Sequence, residues 1–80
     1  MCKKKHAEKY SAIGKAIKEL RRDRNLTQEE LAEKLGISKS YISKIEAKNT
    51  DKSFSIELLF DLAEFFEVDL SYFFKYLSDK

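Results

Sequence analysis

The chain has 80 residues, a hydrophobic share of 42%, two glycines and no proline. That composition fits one small, helix-rich globular domain and excludes a disordered or low-complexity chain. The net charge is only +2, but it is unevenly placed: residues 1–52 hold 14 Lys/Arg against 8 Asp/Glu, and residues 53–80 hold 2 against 6. A basic N-terminal part beside an acidic C-terminal part predicts one face turned to a polyanion and another turned away from it.

A lone cysteine, Cys2, excludes an internal disulfide and fits a reducing cytoplasm, where the chain is expected. The start, Met1 to His6, lacks the apolar segment of a secretory signal. No apolar run approaches the ~20 residues of a membrane span. The single histidine and the single cysteine both lie in this tail, so no Ser/His/Asp or Cys/His set can form. Neither metal-ligand spacing nor a glycine-rich phosphate loop is present. Enzymatic activity, a metal and a cofactor are therefore not expected.

In chain order, residues 1–8 read as a basic flexible tail and residues 9–80 as a single folded domain. The tail has two readings: a solubilising end, or an arm laid along nucleic-acid phosphates or into a minor groove. The first helix is predicted from about Glu8 or Tyr10 to Arg24, because Ile13, Ala16, Ile17 and Leu20 repeat at helical spacing. Gly14 inside it marks a close helix–helix approach. Arg21, Arg22 and Arg24 fall in the last turn, where they complement the helix dipole or contact phosphates. Asn25 suits a left-handed cap.

Thr27 and Glu30 form a capping box for a second helix, with Leu26 and Leu31 as a hydrophobic staple. Gly36 stops it. Ser38 caps a third helix at once, with Ile37 and Ile42 as its staple. Ile42 and Ile45 point inward. Ser40, Ser43, Lys44 and Ala47 fall on the opposite side, flanked by Lys39 and Tyr41. This outward face is small, polar and basic, with no carboxylate before Glu46. Small residues let a helix approach a major groove, and lysine reaches guanine O6/N7 or a phosphate.

The run LTQEELAEKLGISKSYISKIE resembles the Cro/phage-repressor type of helix-turn-helix family. The resemblance extends from about Ile13 to Phe74. It rests on Gln28 beside Thr27, the Leu31-Ala32 pair, the turn glycine Gly36, and Ile42, Ile45 and Glu46. It implies an all-α, lambda-repressor-like fold, a compact bundle of five helices. It also implies a phosphate contact at Gln28 and base contacts at Lys39, Ser40 and Lys44. The family departs from this chain at Lys48, where glycine is common, near Ser53, where proline is common, and at Glu67, where glycine usually follows the fourth helix.

The polar stretch after Ala47 reads as a loop, and its Lys48 and Asn49 are solvated residues or phosphate contacts. Ser55 caps a fourth helix whose buried side is Leu58, Leu59, Leu62, Ala63 and Phe66. Asp69 is expected to cap a fifth, staple-closed by Val68 and Phe73. Its Leu70, Tyr72, Phe73, Phe74, Tyr76 and Leu77 cannot all share one inward stripe. The surplus aromatics, with Phe65, are read as edge packing or as a dimer interface made of Phe65, Tyr72, Phe73, Tyr76 and Leu77.

Together these features predict a homodimer that binds double-stranded DNA in a sequence-specific way and regulates transcription from a pseudo-palindromic operator, as a repressor or a restriction–modification controller. Lys39, Ser40, Ser43 and Lys44 are the expected base readers. Thr27, Gln28, Ser38, Tyr41, Lys48 and Asn49 are the expected phosphate contacts. A small-molecule effector is not expected. The rival readings are a protein-interaction module and an antitoxin built on the same fold.

Overall fold

A computed structural model describes residues 7–47, 55–75 and 77. Four α-helices follow one another: α1 (Ala7–Asp23), α2 (Gln28–Leu35), α3 (Lys39–Glu46) and α4 (Ile56–Phe66). A 3₁₀ helix, Leu70–Phe74, closes the described chain. Among the described residues there is no strand.

The caps that start the helices are side-chain oxygens. Thr27 Oγ1 accepts the Glu30 N–H at 3.0 Å and the Thr27 N–H donates to Glu30 Oε1 at 2.9 Å, so the capping box is complete. Ser38 accepts the Tyr41 N–H and Ser55 the Leu58 N–H, each at 3.1 Å. Each hydroxyl satisfies a backbone donor that the first helical turn leaves without a partner.

The ends of α1, α2 and α4 share one device. Asn25, Gly36 and Glu67 take φ of 59°, 72° and 59°. The amide after each reaches back to a carbonyl five residues earlier: Leu26 to Arg21, Ile37 to Ala32 and Val68 to Ala63. This is the Schellman closure, which uses carbonyls the last turn cannot pair. Glycine enters the left-handed region without penalty and asparagine at low cost. Glu67 adopts it against a penalty of roughly 1–2 kcal/mol.

The expected fifth α-helix is corrected to a 3₁₀ helix, so the bundle has four α-helices. Asp69 precedes the 3₁₀ helix but makes no side-chain capping bond. In a 3₁₀ helix, residues three apart eclipse one another. That repeat stacks Leu70 and Phe73 on one side, and the element packs on α1 and α4. Phe73 is fully buried.

Ile17, Leu31, Ile42, Ile45, Leu62, Phe66 and Phe73 are the largest fully buried side chains, so every described helix supplies the core. α1 and α3 cross at backbone contact. A Cβ on Gly14 would be driven into the carbonyl oxygen of Ile45. Alanine is up to ~1 kcal/mol better than glycine in a helix. Gly14→Ala should nevertheless destabilise the domain by about 1–3 kcal/mol, because the two backbones must separate. Urea denaturation checks this, and a variant as stable as the parent would show that the crossing is looser than described.

Candidate nucleic-acid interface

The α2–turn–α3 unit presents one continuous polar surface. Ile42 and Ile45 are 0% and 1% exposed. They anchor α3 and thereby turn Lys39, Ser40, Ser43 and Lys44 outward, all four of them exposed. Tyr41 is half-buried and packs against the core edge. Lys39 shares a shallow surface groove with Glu29 and Glu33 of α2. Lys44 stands one helical turn beyond the Ser40 position.

Glu46, the last residue of α3, would ordinarily place a negative charge beside this face. It does not, because its carboxylate is turned inward. Arg21 Nε donates to Glu46 Oε2 at 2.8 Å and Arg21 Nη2 to Glu46 Oε1 at 2.9 Å. Arg21 Nη1 donates to the Leu26 carbonyl at 2.6 Å. The Glu46 side chain is only 2% exposed and that of Arg21 only 10%. A planar guanidinium matches a carboxylate in such a two-pronged pair, which neutralises both charges. Gln28 completes the cluster by donating Nε2–H to Glu46 Oε1 at 3.0 Å. No buried side-chain nitrogen or oxygen among the described residues lacks a partner.

The three arginines at and just past the end of α1 therefore do different things. Arg21 is internal. Arg24 crosses to α4, where Nη2 donates to the Phe66 carbonyl at 2.9 Å and the guanidinium lies 5.3 Å from the Phe66 ring centroid. It complements the C-terminus of α4, where the expectation placed it on its own helix or on a phosphate. Arg22 is exposed.

The remaining expected phosphate residues sit as follows. Thr27 and Ser38 are exposed, each with its oxygen already accepting a cap bond. Gln28 is half-buried. Lys48 and Asn49 lie outside the described residues, as does the tail of residues 1–6.

The expected dimer residues divide. Phe65 is half-buried, edge-on to Phe66 at 4.9 Å between ring centroids. Tyr72 is half-buried, with Lys75 Nζ 4.4 Å from its ring centroid, and Leu77 is half-buried. Phe73 is corrected to a core residue, since it has no exposed surface to offer a partner. Tyr76 lies outside the described residues. Two exposed apolar side chains went unnoticed in the sequence: Ile56 and Phe60, 54% and 53% exposed. Their spacing of four, off the Leu58/Leu59/Leu62 stripe, was the available signal. Arg21 and Glu46 had no comparable signal.

Two short helices joined by a glycine turn, the second held by a buried isoleucine pair with its polar side exposed, define a helix-turn-helix protein. The model of the family described as "Helix-turn-helix" matches residues 17–73. The chain belongs to this family, in its Cro/phage-repressor type. It is similar to an uncharacterized HTH-type transcriptional regulator of Methanocaldococcus jannaschii, 45% identical over 56 residues, which cover 70% of this chain and 82% of that protein. Among the described residues no helix is long and apolar enough to cross a membrane, and no group of three or more His, Cys, Asp or Glu is placed to hold a metal.

Removing the acceptor from the buried cluster should be costly. Glu46→Ala would leave the Arg21 guanidinium buried without a counter-charge, at about 3–5 kcal/mol of stability. Chemical denaturation of the variant measures this. A loss below ~1 kcal/mol, typical of a solvated surface pair, would contradict the buried assignment.

Proposed function

We propose that the chain is a homodimeric, sequence-specific double-stranded DNA-binding regulator of transcription. The observation that carries this reading is the outer face of α3: Lys39, Ser40, Ser43 and Lys44 are exposed together, and the one carboxylate of that helix is withdrawn and neutralised. A face of this kind enters a major groove without like-charge repulsion, and lysine there finds guanine acceptors. Thr27, Gln28 and Ser38, at the N-termini of α2 and α3, and Tyr41 on the flank of α3, hold the phosphates on either side. Lys48 and Asn49 extend that contact beyond α3. Family membership and the similarity to a protein named as a transcriptional regulator support the same reading.

DNA binding of this type weakens steeply with salt, because each phosphate neutralised by lysine or arginine releases condensed counterions. Gel shifts over a salt series should show that slope. Lys44→Ala should cost about 1–3 kcal/mol on the preferred site and much less on unrelated sequences. An equal loss on all sequences would reassign Lys44 to a phosphate, and no binding by the parent chain would end the reading.

The dimer is supported by apolar side chains left without full cover: Phe65, Tyr72 and Leu77, each half-buried, and, on another side of α4, the exposed Ile56 and Phe60. Two-fold pairing would set the two α3 helices about 34 Å apart, facing successive turns of a pseudo-palindromic site. Sedimentation equilibrium at micromolar concentration should give twice the chain mass of 9.4 kDa. A single species of chain mass, with and without operator, would dismiss the homodimer.

A further inference from the structure

We propose that Glu46 is a positioning residue for DNA binding, acting through the side-chain amide of Gln28. The inference rests on the reading of Gln28 as a phosphate contact and concerns what makes that contact possible. A glutamine amide is two-faced: its nitrogen donates and its oxygen accepts. Only the nitrogen side suits a phosphate. A freely turning amide on a helix N-terminus would present its oxygen to the backbone of the duplex as readily as its nitrogen.

Glu46 removes that ambiguity. Both oxygens of its carboxylate face donors of the Arg21 guanidinium, and a carboxylate offers its neighbours only acceptors. The Gln28 nitrogen lies 3.0 Å from Glu46 Oε1. The flipped amide would set oxygen against oxygen in a buried site, which is strongly unfavourable. One Nε2 hydrogen is thus committed to Glu46, and the second is left on the same nitrogen, at the N-terminus of α2, for a phosphate oxygen. Because Glu46 ends α3 and Gln28 begins α2, the backbone anchor and the base-reading helix share one fixed point.

Simple electrostatics gives Glu46 no favourable role near a polyanion, which makes the proposal separable from a charge effect. The test replaces the ion pair with apolar residues of similar length, Arg21→Met with Glu46→Met, which leaves net charge unchanged and no buried charge unpaired. Gln28→Met and the triple variant complete a cycle. Thermal melts and circular dichroism confirm that each variant is folded before gel shifts are compared on one operator. We expect the Arg21→Met/Glu46→Met protein and Gln28→Met each to bind about tenfold more weakly, the scale of one lost hydrogen bond to a charged group, with no further loss in the triple variant. Parental affinity in the Arg21→Met/Glu46→Met protein, or losses that multiply, would overturn the proposal. Failure of the parent chain to bind duplex at all would instead refute the DNA-binding reading.

Should the apolar pair fail to fold, the side-chain amide signals of Gln28 in the parent protein decide the question by NMR. One Nε2 hydrogen should be protected from exchange in the free protein, and the second only on adding duplex. Equal, rapid exchange of both hydrogens in the complex would overturn the proposal.

Discussion

The geometry of this domain depends on one buried ion pair. Arg21 reaches out of the last turn of α1 and holds the end of α3 through Glu46 and the entry to α2 through the Leu26 carbonyl. Gln28 joins from the first turn of α2. Three helices therefore meet at a single carboxylate. Such a pair adds little net stability over an apolar cluster, because desolvating two charges consumes most of their attraction. What it contributes is direction. A guanidinium fork accepts a carboxylate in few orientations, whereas packed leucines tolerate sliding. One residue before Glu46, the Ile45 carbonyl lies where a Cβ on Gly14 would have to be. The α1–α3 crossing is thus set by a close backbone approach and a directional pair, adjacent on α3 and about two turns apart on α1.

The same interaction shapes the electrostatics of the surface. With Glu46 withdrawn, α3 shows lysines and serines outward. The acids of α4, Glu57, Asp61 and Glu64, are exposed on a different helix, with no lysine or arginine in α4 itself. The charge asymmetry along the chain becomes an asymmetry between helices, which is what orienting a small protein on a polyanion requires.

Local physics made much of this legible in advance. The capping box at Thr27, the serine caps, the left-handed Asn25 and Gly36, and the isoleucine pair of α3 all follow from residues within a few positions of each other. The close approach at Gly14 was readable because a glycine inside an apolar helical stripe has few other uses. Illegible features were those whose cause is distant or competes with another rule. Arg21 and Glu46 stand 25 positions apart and look like ordinary surface charges until the fold joins them. Phe73 carries two expectations from the sequence, an inward staple partner of Val68 and an interface residue, and its full burial leaves only an inward one. In the three-residue period actually adopted, it falls inward beneath Leu70. The roles of Lys48, Asn49 and Tyr76 lie outside the described residues.

Arg24 explains how the chain tolerates Glu67. A non-glycine residue in the left-handed region costs roughly 1–2 kcal/mol. Glu67 accepts that cost at the end of α4, and Arg24 sits on the carbonyl just before it, with its guanidinium over the Phe66 ring. A charged hydrogen bond to a helix C-terminus and a cation–π contact together recover about that amount. Arg21 on the last turn of α1 and Arg24 just past its end thus reach in two directions, one to the end of α3 and one to the end of α4. The turn that looked like a basic patch is where the first helix fixes both the base-reading helix and the helix behind it. The α3 surface left open for a groove is the part these two arginines do not touch.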